Sequence, residues 1–193
     1  MAGLVALGLL PSTIDILSVP LVSSLAATHP GIRIRLAMGY AGPLIVWLQA
    51  GEIDAALLYG VGHSSGVQAR ALIEEPLWVI GPKEARLRRD QPIPPFTQIG
   101  KPLVLPSAPH VIRTLVDHAC AVSKVELTIA AETNALSVQC RLVLGGHGLT
   151  ILPPMAVADD LHSGQVSGTP LAENRPSPAP SCSPCPPRYS CRP

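Results

Sequence analysis

A chain of 193 residues has room for one domain or two small ones. Hydrophobic residues make up 47% of it and aromatic residues only 3%. Its core must therefore be built from Leu, Val, Ile and Ala, the composition of α/β layers with buried parallel strands. The formal net charge is +1 and Lys and Arg form no dense cluster, which excludes direct nucleic-acid binding by this segment, since neutralising phosphates needs a basic face.

The first apolar stretch carries a single charge, Asp15, but it has no basic leader and is interrupted by Pro11, Ser12, Asp15 and Pro20. It reads as neither a signal peptide nor a membrane span, and no other stretch is apolar for long enough. The expectation is a soluble, cytoplasmic protein with no membrane partner.

Residues 4–10 predict a strand, and Ser12 to about Ala27 a helix, with apolar residues at Ile14, Leu17, Leu21, Val22 and Leu25. Pro20 should kink or split that helix. His29-Pro30-Gly31 is a turn, and the strict alternation of Ile32-Arg33-Ile34-Arg35-Leu36 predicts a half-buried strand. Gly39 to Gly42 is a turn. Leu44 to Ala50 follows as a short helix with Gly51 as its C-cap, and Ile53 to Tyr59 as a buried strand. Val67 to Leu72 and Pro76 to Ile80 predict two more strands, the second a candidate crossing segment. Pro82 to Pro95 is irregular with helix potential around Lys83–Arg89, and Arg86, Arg88 and Arg89 beside Glu84 and Asp90 read as a solvated face.

A second unit opens with a strand at Leu103–Leu105. A helix follows over Val111–Val122, then a strand at Val125–Ala130 and a helix over Ala135–Leu144 capped by Thr133 or Asn134. Gly145 to Gly148 turns into a strand at Leu149–Pro153, Met155–Leu161 is a short helix, and Gln165–Leu171 heads back to the first unit. From about Glu173 the sequence turns Pro-rich without apolar periodicity, which predicts a disordered tail over 173–193.

One corner occurs twice. Leu10-Pro11-Ser12 and Leu105-Pro106-Ser107 each follow an apolar strand and precede a helix whose first turn the Ser is placed to cap. A helix N-terminus at the mouth of a strand offers free N–H groups and the positive end of the helix dipole to an anion. Two such corners predict two similar lobes facing a shared cleft.

With those elements in place the chain resembles the effector-binding domain of LysR-type transcriptional regulators, in particular the nitrogen assimilation control-like branch. Leu10-Pro11-Ser12, His29-Pro30-Gly31-Ile32 and Leu48 through Ala56 carry the likeness. So do Leu103 through Ser107, Glu132-Thr133 and Val143 through Pro153, over roughly residues 3 to 172. The resemblance implies a type 2 periplasmic-binding-protein-like α/β fold, two Rossmann-like lobes joined by two crossing strands. Lobe I would be 1–75 plus 165–172 and lobe II 76–164. A small, anionic effector would bind between the lobes and modulate transcription. By position, the cleft would be lined by Pro11, Ser12, Thr13, Ser107, Ala108, His110, Thr133, Gly148, Thr150 and Leu152. A homodimer or tetramer would form with the Ser12 helix and the Ile32 strand of one subunit against the Ser107 helix of another. DNA would be reached only through a helix-turn-helix that the family carries upstream of the first strand, so this chain is not expected to bind an operator alone. The Pro- and Cys-rich tail stands where the family places a strand and a helix that complete lobe I. A stand-alone solute-binding protein and a truncated, non-functional fragment are the alternative readings.

No enzyme signature competes with this. His110 and His118 lie eight apart on one helix and need not converge, and Asp117-His118 reads as a solvated helix face. The His-Glu-x-x-His motif is missing from the sequence. Cys182-x-x-Cys185 with Cys191 has no second ligand pair for zinc, and Cys120 and Cys140 read as reduced core residues. No catalytic residue, metal or cofactor is expected.

Overall fold

The chain was analysed as a computed structural model, which describes residues 3–59, 67–93 and 100–171. In lobe I, strand β1 (Gly3–Leu9) is central and parallel to both β2 (Ile32–Met38) and β3 (Ala55–Ala56). The β1–β2 ladder runs unbroken from Gly3 opposite Ile32 to Leu9 opposite Met38. Helices α1 (Pro11–Thr28) and α2 (Ala41–Ala50) make the connections, and Gly51 closes α2 in the left-handed conformation at φ +71°, as its position predicts. β3 is much shorter than the apolar run 53–59. The Asp54 carboxylate accepts the Ala6 N–H at 2.7 Å, Ile53 is buried in the core, and regular pairing is confined to Ala55 and Ala56.

The rest of the chain forms β4 (Trp78–Pro82), β5 (Leu103–Leu105), α3 (Val111–Ser123), β6 (Ile129–Glu132), α4 (Leu136–Leu144), β7 (Thr150–Leu152), α5 (Ala158–His162) and β8 (Val166–Pro170), of which β4 and β8 are the two crossing strands of lobe II and lobe I. β5 pairs with β6 in parallel, and Val104 N–H bonds to Leu149 C=O at 2.7 Å to bring in the β7 side. β4 lies antiparallel between β7 and β8, with Val79 opposite both Ile151 and Thr169. The two crossing segments therefore run side by side, and Leu171 N–H bonds Leu77 C=O at 2.9 Å.

The cores are unequal. Lobe II packs Val79, Ile80, Leu103, Leu105, Val116, Ile151 and their neighbours, whereas lobe I centres on Ala6, Leu10, Leu44 and Ile53. α1 stays exposed along much of its length, with Val19 and Val22 open to solvent.

Several expectations give way. Val67–Leu72 forms no strand, because no neighbouring strand offers it a ladder. α1 runs through Pro20 without splitting, and Pro20 is exposed, so water can meet the carbonyl it leaves unpaired. The Lys83–Arg89 segment yields only a short 3-10 turn at Lys83–Ala85, and β6 starts at Ile129 rather than Val125. Neither Ser of the twin corners caps its helix. Leu10 is the N-cap of α1 and Pro11 its first residue, which puts Ser12 inside the first turn. α3 begins only at Val111, so His110 takes the N-cap and its Nδ1 accepts the Ile112 N–H at 3.2 Å. The tail over 173–193 lies outside the described residues.

Candidate functional site

A cavity of about 60 Å³ lies where the lobes meet. It is lined by residues just past the carboxyl ends of six strands: Leu10, Pro11 and Ser12 after β1, Tyr40 after β2, and Tyr59 after β3. Pro106 and His110 follow β5, Thr133 and Asn134 follow β6, and Leu152 and Pro153 close β7. In open α/β sheets this edge is where ligands bind, because the loops there are free to vary while the strands hold them still. Ile112, Leu136 and Gln139 complete the lining.

Five of the predicted residues meet at this cavity: Pro11, Ser12, His110, Thr133 and Leu152. The other five do not border it. Thr13 is buried, bonds Leu10 C=O through its hydroxyl at 3.1 Å, and borders the neighbouring hollow of lobe I. Ser107 and Ala108 precede the helix start by several residues and stay in the connecting loop. Gly148 is packed so closely on the Pro102 carbonyl that an added Cβ would sit 2.5 Å from its oxygen. Thr150 is buried, and its hydroxyl accepts from Gln139 Nε2 at 2.5 Å.

The lining is mostly apolar, from Leu10, Pro106, Ile112, Leu136 and Pro153 among others, with a few uncharged polar groups: hydroxyls from Ser12, Thr133, Tyr40 and Tyr59, amides from Asn134 and Gln139, and one imidazole. Burial pushes the His110 pKa down, which favours the neutral ring whose Nδ1 accepts the helix-capping bond. The Thr133 hydroxyl accepts the Ala135 N–H at 3.1 Å, bracing the start of α4. Burial, reinforced by a hydrogen bond to Glu75, holds the Tyr59 phenol up to about 12, with the nearby Ser12 hydroxyl pulling weakly the other way. Glu75 in turn accepts the Met155 N–H at 2.9 Å, so a chain of bonds runs from Tyr59 through Glu75 to the turn after β7. The helices α1, α3 and α4 all begin at this cavity, with their dipoles' positive ends toward it.

Sequence reasoning missed Tyr40, Tyr59 and Gln139. Tyr40 and Tyr59 carry a usable signal, since each lies within three residues of the carboxyl end of a strand. Gln139 carries none, because its partners lie 11 and 35 positions away. Asp117 is committed to Arg113 at 2.9 Å, and Arg113 also pairs with Glu132. Among the described residues no group of three or more His, Cys, Asp and Glu is placed to hold a metal ion, and no helix is long and apolar enough to cross a membrane.

Comparison with known proteins agrees with this architecture. The chain is 27% identical over 173 residues to a probable hydrogen peroxide-inducible genes activator of Mycobacterium avium, covering 88% of this chain and 55% of that protein. It is 26% identical over 157 residues to the nitrogen assimilation regulatory protein nac of Escherichia coli K12, covering 81% and 50% respectively. The chain thus spans about half the length of these curated relatives. Among solved structures, the regulatory domain of CcmR from Synechocystis PCC6803 in complex with 2-PG superposes with a TM-score of 0.74 at 15% identity, over 86% of this chain and 79% of that one. Such likeness places the fold as the type 2 periplasmic-binding-protein-like α/β fold expected from the sequence. The model of the LysR substrate binding domain matches residues 1–183, and the chain belongs to that family.

Proposed function

We propose that this chain is the effector-sensing part of a LysR-type transcriptional regulator, and that a small anionic metabolite binds between its lobes. The observation that carries this reading is the convergence, at the carboxyl ends of six strands, of hydroxyl and amide groups with three helix starts. Among the described residues no Lys or Arg lines the cavity. An anion there would be met by O–H and N–H donors and by helix dipoles rather than by a counter-charge, and such donors suit an oxyanion. Ser12 and Thr133 are the hydroxyls assigned to direct contact, with His110 offering its other ring nitrogen. The chain acts as a binding module rather than an enzyme: Asp117 is paired with Arg113, so Asp117 and His118 form no catalytic dyad.

Assembly follows the family's arrangement in this proposal. α1 and β2 of one subunit would pack on α3 of another in a homodimer or tetramer, covering Val19 and Val22 on one side and Leu115 and Val122 on the other. DNA contact would come from a helix-turn-helix outside this chain, and the working compartment is the cytoplasm. A thermal-shift screen with carboxylates, sulfate and nitrogen metabolites tests the cleft. A hit whose shift disappears in Ser12→Ala and Thr133→Ala supports the assignment. A panel in which no compound raises the melting temperature overturns it. Light-scattering mass measurement on Leu115→Glu checks the interface, which predicts a monomer.

A further inference from the structure

Tyr40 occupies an unusual place between the lobes. Its backbone is fixed on lobe I, where its carbonyl accepts the Leu44 N–H at 3.0 Å as the N-cap of α2. The preceding Gly39 is wedged so that a Cβ there would lie 3.1 Å from the Trp47 ring and 3.2 Å from Leu44, and its N–H bonds Leu9 C=O at 3.1 Å. The side chain then reaches across to lobe II. Its hydroxyl donates to the main-chain oxygen of Asn134, and its ring stands edge-on to His110, with centroids 6.4 Å apart and planes at 77°. One residue of lobe I thus touches the starts of both α3 and α4.

We propose that Tyr40 is a latch: it ties the lobes shut across the mouth of the cleft without needing an occupant, and so limits by size what the cleft admits. Three observations combine in this. The anchoring corner is fixed, so the ring leaves Asn134 only by turning out toward solvent about its own side-chain bonds or by parting of the lobes. Its hydroxyl takes a carbonyl that an occupant would otherwise use. With the ring seated, the cavity measures about 60 Å³, far below the roughly 300 Å³ at which pockets for drug-sized ligands begin. Larger effectors must displace Tyr40 from Asn134, whereas a very small one can sit beneath it. The latch rests on the geometry between the lobes and not on the identity of the effector, so a failed ligand screen leaves it standing, and its failure leaves the effector reading untouched.

Hydrogen exchange followed by mass spectrometry on the full chain, with no added ligand, tests it. Tyr40→Phe removes only the hydroxyl from a residue that is 36% exposed, so it should fold as the parent does. The peptides at 10–14 and 133–139, on opposite walls of the cleft, should exchange faster together, by about fivefold, the factor that one hydrogen bond of ordinary net strength supplies. Tyr40→Ala should speed them further and raise the radius of gyration in X-ray scattering, while exchange in β1 and β5 stays that of the parent. Faster exchange confined to residues 38–42, or no change at either wall in Tyr40→Phe, overturns the latch. If Tyr40→Ala fails to fold, Tyr40→Phe decides the question alone.

Discussion

The Tyr59 hydroxyl donates to Glu75 Oε2 at 2.9 Å, and the other Glu75 oxygen accepts the Met155 N–H, so one carboxylate joins the end of β3 to the turn after β7. Burial and this bond raise the phenol to about 12 from an ordinary value of 10.0. Because the folded value lies above the unfolded one, the associated stability is fully present below pH 10 and is lost as pH rises through about 12. In a spectrophotometric titration Tyr59 should ionise well above the ordinary phenol value. Glu75→Ala, which orphans both donors, should cost about 1–3 kcal/mol in urea unfolding and bring the phenol back toward its ordinary value.

His110 gives the opposite sign. Burial lowers its pKa below 6.5, so the unfolded chain takes up the proton first and stability falls as pH drops below 6.5. Protonation also removes the lone pair that Nδ1 offers to the Ile112 N–H. His110→Asn keeps a capping side chain that does not titrate. Its melting temperature should therefore fall less steeply on the acid side than that of the parent protein.

A buried amide should show strong coupling with its neighbour. Gln139 Nε2 donates to Thr150 Oγ1 at 2.5 Å and to Val104 C=O at 3.3 Å, and both Gln139 and Thr150 are almost wholly buried. Thr150→Val and Gln139→Leu should each destabilise by about 1–3 kcal/mol, because each leaves a buried group short of a partner. The double substitution should cost clearly less than the sum, which a double-mutant cycle in urea measures.

Two glycines should respond in opposite directions to alanine. At Gly148 a Cβ would sit 2.5 Å from the Pro102 oxygen, an atom held in a backbone bond to Leu149 N–H, so Gly148→Ala should lose about 1–3 kcal/mol through forced displacement. Gly42 lies inside α2 with nothing within 4 Å of the added carbon, and Gly42→Ala should gain about 0.5–1 kcal/mol. Thermal melts of the two variants check both signs.

The thiols of Cys120 and Cys140 should be sluggish. Burial raises both, Cys140 to about 11, with Asp117 and Asp160 adding to the effect. The thiolate is the reactive form, so alkylation at neutral pH should be slow at both and accelerate as pH rises, Cys140 responding at the highest pH. Peptide mapping separates them from Cys182, Cys185 and Cys191. Fast labelling of either at neutral pH would argue for a reactive, sensing thiol.

The order of strands and helices was legible because local patterns encode it: aliphatic runs, the alternation at Ile32–Leu36, and Gly51 after a helix. What needed a partner was not legible. Val67–Leu72 has strand-like composition but no ladder to join. The Ser12 and Ser107 caps failed because the helix starts are fixed by Pro11 and by the loop ending at His110, shifts of two and three residues that periodicity cannot resolve. At the cleft, Ser12, His110 and Thr133 could be placed by position from the family resemblance. Tyr40, Glu75 and Gln139 act through partners 94, 80 and 35 positions away, and such pairings exist only once the chain is folded.

The side-by-side run of β4 and β8 bears on how the lobes can move. Two separate tethers would let one lobe swing in any direction about flexible joints. Here Trp78 to Pro82 is bonded rung by rung to Pro170 to Val166, with the further rung from Leu171 to Leu77 at the boundary. A ribbon of that kind bends and twists about its own axis far more easily than it shears. Because β4 is also bonded along its other edge to β7, the pair is stiffened where it enters lobe II, and bending is left to the boundary near the Leu171–Leu77 rung.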